Sequence, residues 1–138
     1  MSYQEAMEAA GAEVHEYKEF GSYQGTWIAD VTYRGERGYV EGSYGSCSGC
    51  DAFQGEFDYS WDHEHDNRKY YNPSYEEPLA GCPKCEEYKT KLKEFGEGYL
   101  HSIVPKEQLV SIYRKKVADD YSWEDDKEIL EWLKARGI

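Results

Sequence analysis

Every cysteine of the chain belongs to one of two Cys-x-x-Cys pairs, Cys47-Ser48-Gly49-Cys50 and Cys82-Pro83-Lys84-Cys85. A two-residue spacer lets a tight turn aim both sulfurs of a pair at one point. Four thiolates then complete the tetrahedron that Zn²⁺ prefers, with sulfurs at about 2.3 Å. Ser48-Gly49 suits such a turn because glycine tolerates positive φ. Pro83 places the second pair at a helix start, where the dipole and free N–H groups favour thiolate. The spacing therefore predicts one structural zinc ion on Cys47, Cys50, Cys82 and Cys85, clipping together two ends of a polar stretch. Iron fits the same ligands.

Other chemistry is open to the same residues. Plain buried thiols are the bland reading. Cys82-Pro83-Lys84-Cys85, followed by Lys89 and Leu92, resembles the active-site helix of glutaredoxins, and Val104-Pro105 is similar to the proline flanking that site. That resemblance covers a short segment and implies a thiol–disulfide oxidoreductase using Cys82 and Cys85. It also implies an apolar strand directly before the motif, and Tyr75 to Gly81 does not read as one. The distance from Cys85 to Pro105 is short for that fold. Asp62-His63-Glu64-His65-Asp66 is a second metal-like cluster: on a strand His63 and His65 share a face and suit a second ion, whereas the bland reading is a solvated acidic loop.

Catalytic motifs are scarce. The sequence carries no Gly-rich phosphate loop and no nucleophile elbow, and a zinc ion on four thiolates has no open position for water. The expectation is a binding protein and not an enzyme.

The charge distribution suggests what is bound. The chain has 138 residues and a net charge of −12. Residues 1–67 hold half of the 28 acidic residues but only three bases, Lys18, Arg34 and Arg37. Phosphate contacts need Lys and Arg, so direct binding of nucleic acid or anionic lipid is not expected, and a basic protein partner is. Asp51, Glu56, Asp58, Asp62, Glu64 and Asp66 run without a base until Arg68, with Tyr59, Trp61, Tyr70, Tyr71 and Tyr75 interleaved or adjacent. Carboxylates so spaced can occupy the places of phosphates, and aromatic residues supply anchoring area. The predicted contact surface comprises those six acids with Tyr59 and Tyr70. The bland alternative is a solvated face that keeps the protein soluble. With 14 tyrosines the chain is thin in aliphatic core and rich in hydroxyls expected near the surface. No apolar stretch is long enough to span a bilayer, and no basic-then-apolar segment opens the chain. A reducing cytosol is the expected compartment.

The segment Gly42-Ser43-Tyr44-Gly45-Ser46-Cys47-Ser48-Gly49-Cys50-Asp51-Ala52 resembles small acidic phage and prophage proteins, in which a Gly/Tyr-rich strand runs into a Ser-Cys-Ser-Gly-Cys-Asp turn. The resemblance covers the first hairpin and cysteine pair, under a third of the chain. Its closest functional counterpart is the zinc-containing type II-A anti-CRISPR class. It implies a phage-encoded inhibitor in the cytoplasm of a bacterial host, which binds a CRISPR effector nuclease and blocks nucleic acid loading. A rival expectation is a binder of small signalling nucleotides, with Lys89, Lys91, Lys93, Arg114, Lys115 and Lys116 lining a cationic pocket.

The elements that position these residues follow from periodicity. Ser2 and Glu5 form a capping box, and Met7, Ala10, Val14 and Tyr17 recur at helical spacing, predicting a helix that Gly21 ends. Trp27, Ala29, Val31 and Tyr33 alternate as a strand; residues 34–38 form a turn, and Tyr39 to Tyr44 return as a second strand. Residues 51–57 read as a short helix or an irregular loop, and 61–78 as a polar stretch broken by prolines. A helix from Pro83 carries Cys85, Tyr88, Leu92 and Phe95 and closes at Gly96 and Gly98; a short strand from Tyr99 to Val104 follows. Two further helices open at Pro105, with Leu109, Ile112, Tyr113 and Val117, and at Ser122, with Ile129, Leu130 and Leu133 before Gly137. The sum is a single small α+β domain over residues 1–138, a hairpin-based antiparallel sheet with about four helices and a Cys₄ zinc staple.

Overall fold

The computed structural model describes residues 3–45, 51–57, 61–65, 68–73, 78–119 and 124–136. It is an α+β fold with five helices, a three-stranded antiparallel sheet and a two-stranded ribbon among the described residues. In chain order the elements are α1 (Tyr3–Ala9), β1 (Glu13–Gly21), β2 (Gly25–Tyr33), β3 (Glu36–Tyr44), α2 (Ala52–Phe57), β4 (His63–His65), β5 (Arg68–Tyr71), α3 (Pro83–Leu100), α4 (Lys106–Ala118) and α5 (Glu124–Ala135).

The sheet has the order β1-β2-β3, so β2 is paired on both edges. Its side chains alternate between two cores, as period-two geometry requires. Trp27, Ala29, Val31 and Tyr33 face one core, built with α1, α2 and α3 through Tyr3, Ala6, Met7, Phe53, Phe57, Tyr88 and Leu100. Ile28 faces the other, with Phe20, Tyr39, Leu109, Tyr113, Ile129 and Leu133 from β1, β3, α4 and α5. The first core is largely aromatic: Trp27 meets the rings of Tyr3, Tyr17 and Tyr99 at 5.1–5.6 Å, and Phe53 meets Phe57 at 4.7 Å. Of the ten tyrosines whose side chains are described, six are core residues and not surface ones. Tyr3, Tyr71, Tyr88 and Tyr113 are each at most 5% exposed, whereas Tyr23, at the β1–β2 turn, is 80% exposed.

The β2–β3 hairpin turns on Arg34 and Gly35, both at positive φ (52° and 80°), the conformation a two-residue type I′ turn demands. The expected long first helix is instead one short helix and an edge strand. Gly11, at φ 99°, breaks the chain after α1, and Val14 and Tyr17 pair with Val31 and Ala29 of β2. Helix α3 likewise does not close at Gly96 or Gly98 but runs through both to Leu100. Gly96 is there for packing: a Cβ on it would stand 2.0 Å from the Ala6 carbonyl oxygen, so glycine lets α1 lie directly on α3. The strand expected over Tyr99–Val104 reduces to one antiparallel bridge, Tyr39 to Val104. Residues 52–57 are helical, α4 and α5 follow the sequence pattern, and Ser122 lies outside the described residues. No helix among the described residues is long and apolar enough to cross a membrane.

Candidate metal centre

Cys82 is the N-cap of α3, with extended backbone, and Pro83 follows in the first helical turn. The helical turn brings Cys85 beside Cys82, where both are buried with Tyr71, and Leu79 packs against them. The third participant comes from the β4–β5 ribbon. His63 Nε2 lies 3.4 Å from Cys82 Sγ and 3.7 Å from Cys85 Sγ. One nitrogen and two sulfurs within 4.8 Å of one another are close enough to hold a metal ion.

The surroundings prepare this group for a cation. His63 Nδ1 is 2.9 Å from the Trp61 carbonyl oxygen. A carbonyl only accepts, so Nδ1 carries the proton and Nε2 offers its lone pair to the centre, the usual way a metal-binding imidazole is oriented. The His63 ring also meets Tyr71 edge-on at 5.6 Å. The Cys85 backbone N–H donates to Cys82 Sγ, which brings the Cys82 thiol down to about 7 against desolvation; the Cys85 thiol acts in the same direction. Burial pushes the Cys85 thiol up, and the neighbouring Cys82 adds to this. The N-terminal dipole of α3 favours negative charge at the same place.

The ribbon is held where His63 needs it. Trp61 is buried, donates from Nε1 to the Glu56 carbonyl at 3.2 Å, meets Tyr88 of α3 edge-on and carries the Lys84 ammonium 4.8 Å from its ring centroid. Asn72 donates to Asp62 at 2.8 Å across the base of the ribbon.

Of the four predicted thiolate ligands, Cys82 and Cys85 come together, and Cys47 and Cys50 lie outside the described residues. His63 was read together with His65, as a pair suited to a second ion or as part of a solvated acidic loop. In the structure it belongs with the cysteines, and the side chain of His65 lies outside the described residues. The signal available in sequence was a histidine inside the loop that the two cysteine pairs enclose.

The proposed acidic contact residues differ in exposure. Glu56, Asp62 and Glu64 are exposed; Asp58, Tyr59, Asp66 and the side chain of Tyr70 lie outside the described residues. Asp51 is not a contact residue: it is 6% exposed, because its carboxylate is consumed inside the protein. Oδ1 accepts from the Tyr3 hydroxyl at 2.8 Å and the Gln54 amide at 3.0 Å, and Oδ2 from the Gly45 amide at 2.8 Å. Asp51 thereby caps α2, a role legible from an Asp just before a helix. Trp61 and Tyr71 are also buried, so they are not free to anchor a partner. The six expected pocket cations do not form one pocket: Lys89, Lys91 and Lys93 are on α3, which packs on one face of the sheet, while Arg114, Lys115 and Lys116 are on α4, which packs on the other.

No protein-family model matches the chain, and comparisons with curated proteins and with solved structures likewise return no match.

Proposed function

We propose that the protein is a non-catalytic binding protein in which a zinc ion on His63, Cys82 and Cys85 staples the β4–β5 ribbon to the start of α3. The convergence of these three side chains carries the reading, since a mixed nitrogen and sulfur donor set suits zinc and joins elements that share few other contacts. A thiolate from Cys47 or Cys50 is the natural completion of the tetrahedron. Glu56, Asp62 and Glu64, on the segment that leads to the staple, are exposed.

The finer reading rests on the sequence. The net charge of −12, concentrated in residues 1–67, and the resemblance of residues 42–52 to phage proteins favour a phage-encoded inhibitor. It acts in the cytoplasm of a bacterial host, binds a basic nucleic-acid-handling nuclease of the type II-A CRISPR class, and covers the channel where nucleic acid loads. The test is association of the zinc-loaded protein with such a nuclease at rising salt. Binding that weakens with salt and with the Glu56→Lys and Glu64→Lys substitutions supports electrostatic mimicry. Salt-independent binding removes the mimicry, and no binding removes the partner class.

One observation favours a second reading. The Cys82 thiol, down to about 7 beside Cys85, has the asymmetry of a dithiol redox pair. Reduction of insulin disulfides by the metal-free protein would establish it; inertness in that assay leaves the staple.

A further inference from the structure

A cavity of about 440 Å³ opens on the α4–α5 side of the sheet, between β3 and the start of α4. Gly38 allows it to form. A Cβ there would stand 2.5 Å from Ile103 Cγ2 and 2.7 Å from the Val104 carbonyl oxygen, so glycine lets residues 103–105 run against β3. The two hydrogen bonds between Tyr39 and Val104, at 2.8 and 3.0 Å, lock that approach and set the first turn of α4 beside Arg37.

The floor is Asp30, 3% exposed. Arg37 donates to it from Nε at 3.1 Å and from Nη2 at 3.0 Å, and Arg136 donates from Nη2 at 2.6 Å. The side-on grip on Arg37 uses Nε and Nη2, leaving Nη1 outside the pair, and the side chain is 62% exposed. Lys106, half-buried, lines the same cavity. Helix α4 begins there at Pro105 with no side-chain cap, so the Lys106 and Glu107 amides have no intrahelical acceptor. The lining carries three cationic side chains, Arg37, Lys106 and Arg136, against Asp30 and Glu107; Arg136 is paired with Glu16 as well as Asp30, so Arg37 and Lys106 supply the positive charge available to a ligand.

We propose that this cavity binds the phosphate group of a small phosphate monoester. Arg37, pre-oriented by Asp30, offers planar donors; Lys106 offers a mobile ammonium; and the first turn of α4 adds backbone N–H groups. The volume exceeds that of a bare phosphate, and the Tyr39 ring and Pro105 give the organic portion an apolar wall. The overall negative charge opposes capture at long range, so contact donors decide the affinity.

Calorimetry on the full chain with phenyl phosphate, inorganic phosphate and benzoate tests this. The expected result is binding of phenyl phosphate, weaker binding of inorganic phosphate, and a loss of about tenfold in Lys106→Gln, as for removal of one charge-assisted hydrogen bond. Arg37→Gln is the companion variant, and unchanged thermal unfolding of Lys106→Gln separates a lost contact from a lost fold. The proposal fails if neither phosphate binds at millimolar concentration, if Lys106→Gln binds phenyl phosphate as the parent does, or if benzoate binds as tightly.

Discussion

His63 Nε2 and Cys82 Sγ lie 3.4 Å apart, although 19 positions separate the two residues in the chain. The contact is not made by proximity in sequence. It requires the ribbon to fold back on α3, Trp61 to seat against Tyr88, and the Trp61 carbonyl to hold the imidazole by its other nitrogen. A ring fixed in this way next to a thiol that is brought down to about 7 is a ready donor for a borderline-soft cation.

Metal removal follows directly. The purified protein should carry one zinc per chain, and a chelator should lower its unfolding temperature. At a free zinc level of 100 times the dissociation constant, binding stabilises the folded state by about 2.7 kcal/mol. Cys85→Ser and His63→Ala should each lower zinc affinity by about tenfold or more, measured by competition with a chromophoric chelator. The histidine variant is the decisive one. Unaltered affinity in His63→Ala would return the site to four cysteines and exclude the imidazole.

Stability should also depend on alkaline pH, through tyrosine. Burial raises the phenol pKa values of Tyr3, Tyr17 and Tyr113, with Glu19 acting in the same direction on Tyr17 and Glu41 on Tyr113. In the unfolded chain these phenols ionise near the ordinary value of about 10. Because the folded state holds its protons more tightly, their contribution is fully present below about pH 10 and is lost as pH rises above it. Denaturant midpoints should be insensitive to these groups in neutral solution and fall steeply on the alkaline side. The phenolate absorbance should appear in step with unfolding. Full ionisation of all tyrosines in a still-folded protein would contradict the burial.

What the sequence conveyed, and what it hid, can be traced to single residues. The β2–β3 hairpin was legible because Trp27, Ala29, Val31 and Tyr33 alternate and Arg34-Gly35 supplies the turn. Helices α4 and α5 were legible from Leu109, Tyr113, Ile129 and Leu133, all buried on one core. Residues 13–21 were misread because Met7, Ala10, Val14 and Tyr17 satisfy a helical spacing by coincidence. Pairing with β2, a tertiary effect, overrides it once Gly11 breaks the chain. Gly96 was read as a stop because glycine commonly ends helices, whereas its role depends on a second helix that local pattern does not reveal. At the metal centre the Cys82–Cys85 pair was legible from its spacing. His63 was not grouped with the cysteines because spacing to His65 is visible in one dimension and distance to Cys82 is not.

The two glycines of α3 should respond oppositely to alanine. At Gly98 no atom lies within 4 Å of the added methyl, so Gly98→Ala should stabilise by up to about 1 kcal/mol through helix propensity. At Gly96 the methyl would meet Ala6 O at 2.0 Å and Met7 N at 2.8 Å, both backbone atoms that cannot turn aside. Overpacking of this kind costs about 1–3 kcal/mol, so Gly96→Ala should be destabilising despite the better propensity. Urea unfolding of the pair gives the comparison. Equal effects of the two substitutions would mean that α1 does not rest on α3 as described.

The ion network at Asp30 predicts an asymmetry between its two arginines. Arg136, at the end of α5, donates to Asp30 of β2 and to the Tyr39 hydroxyl of β3 at 2.9 Å, and also pairs with Glu16 of β1. It therefore ties the last helix to all three strands of the sheet. Its side chain is 20% exposed and that of Asp30 only 4%, so water cannot readily replace it. Arg37 reaches the same carboxylate from a side chain that is 62% exposed. Arg136→Gln should cost about 2–3 kcal/mol, as for a charge-assisted hydrogen bond lost from a buried carboxylate, and Arg37→Gln about 1 kcal/mol or less. If chemical denaturation gave equal losses, solvent would be reaching Asp30 from both sides. The tie between α5 and the sheet would then rest on the apolar contacts of Ile129, Leu133 and Trp132.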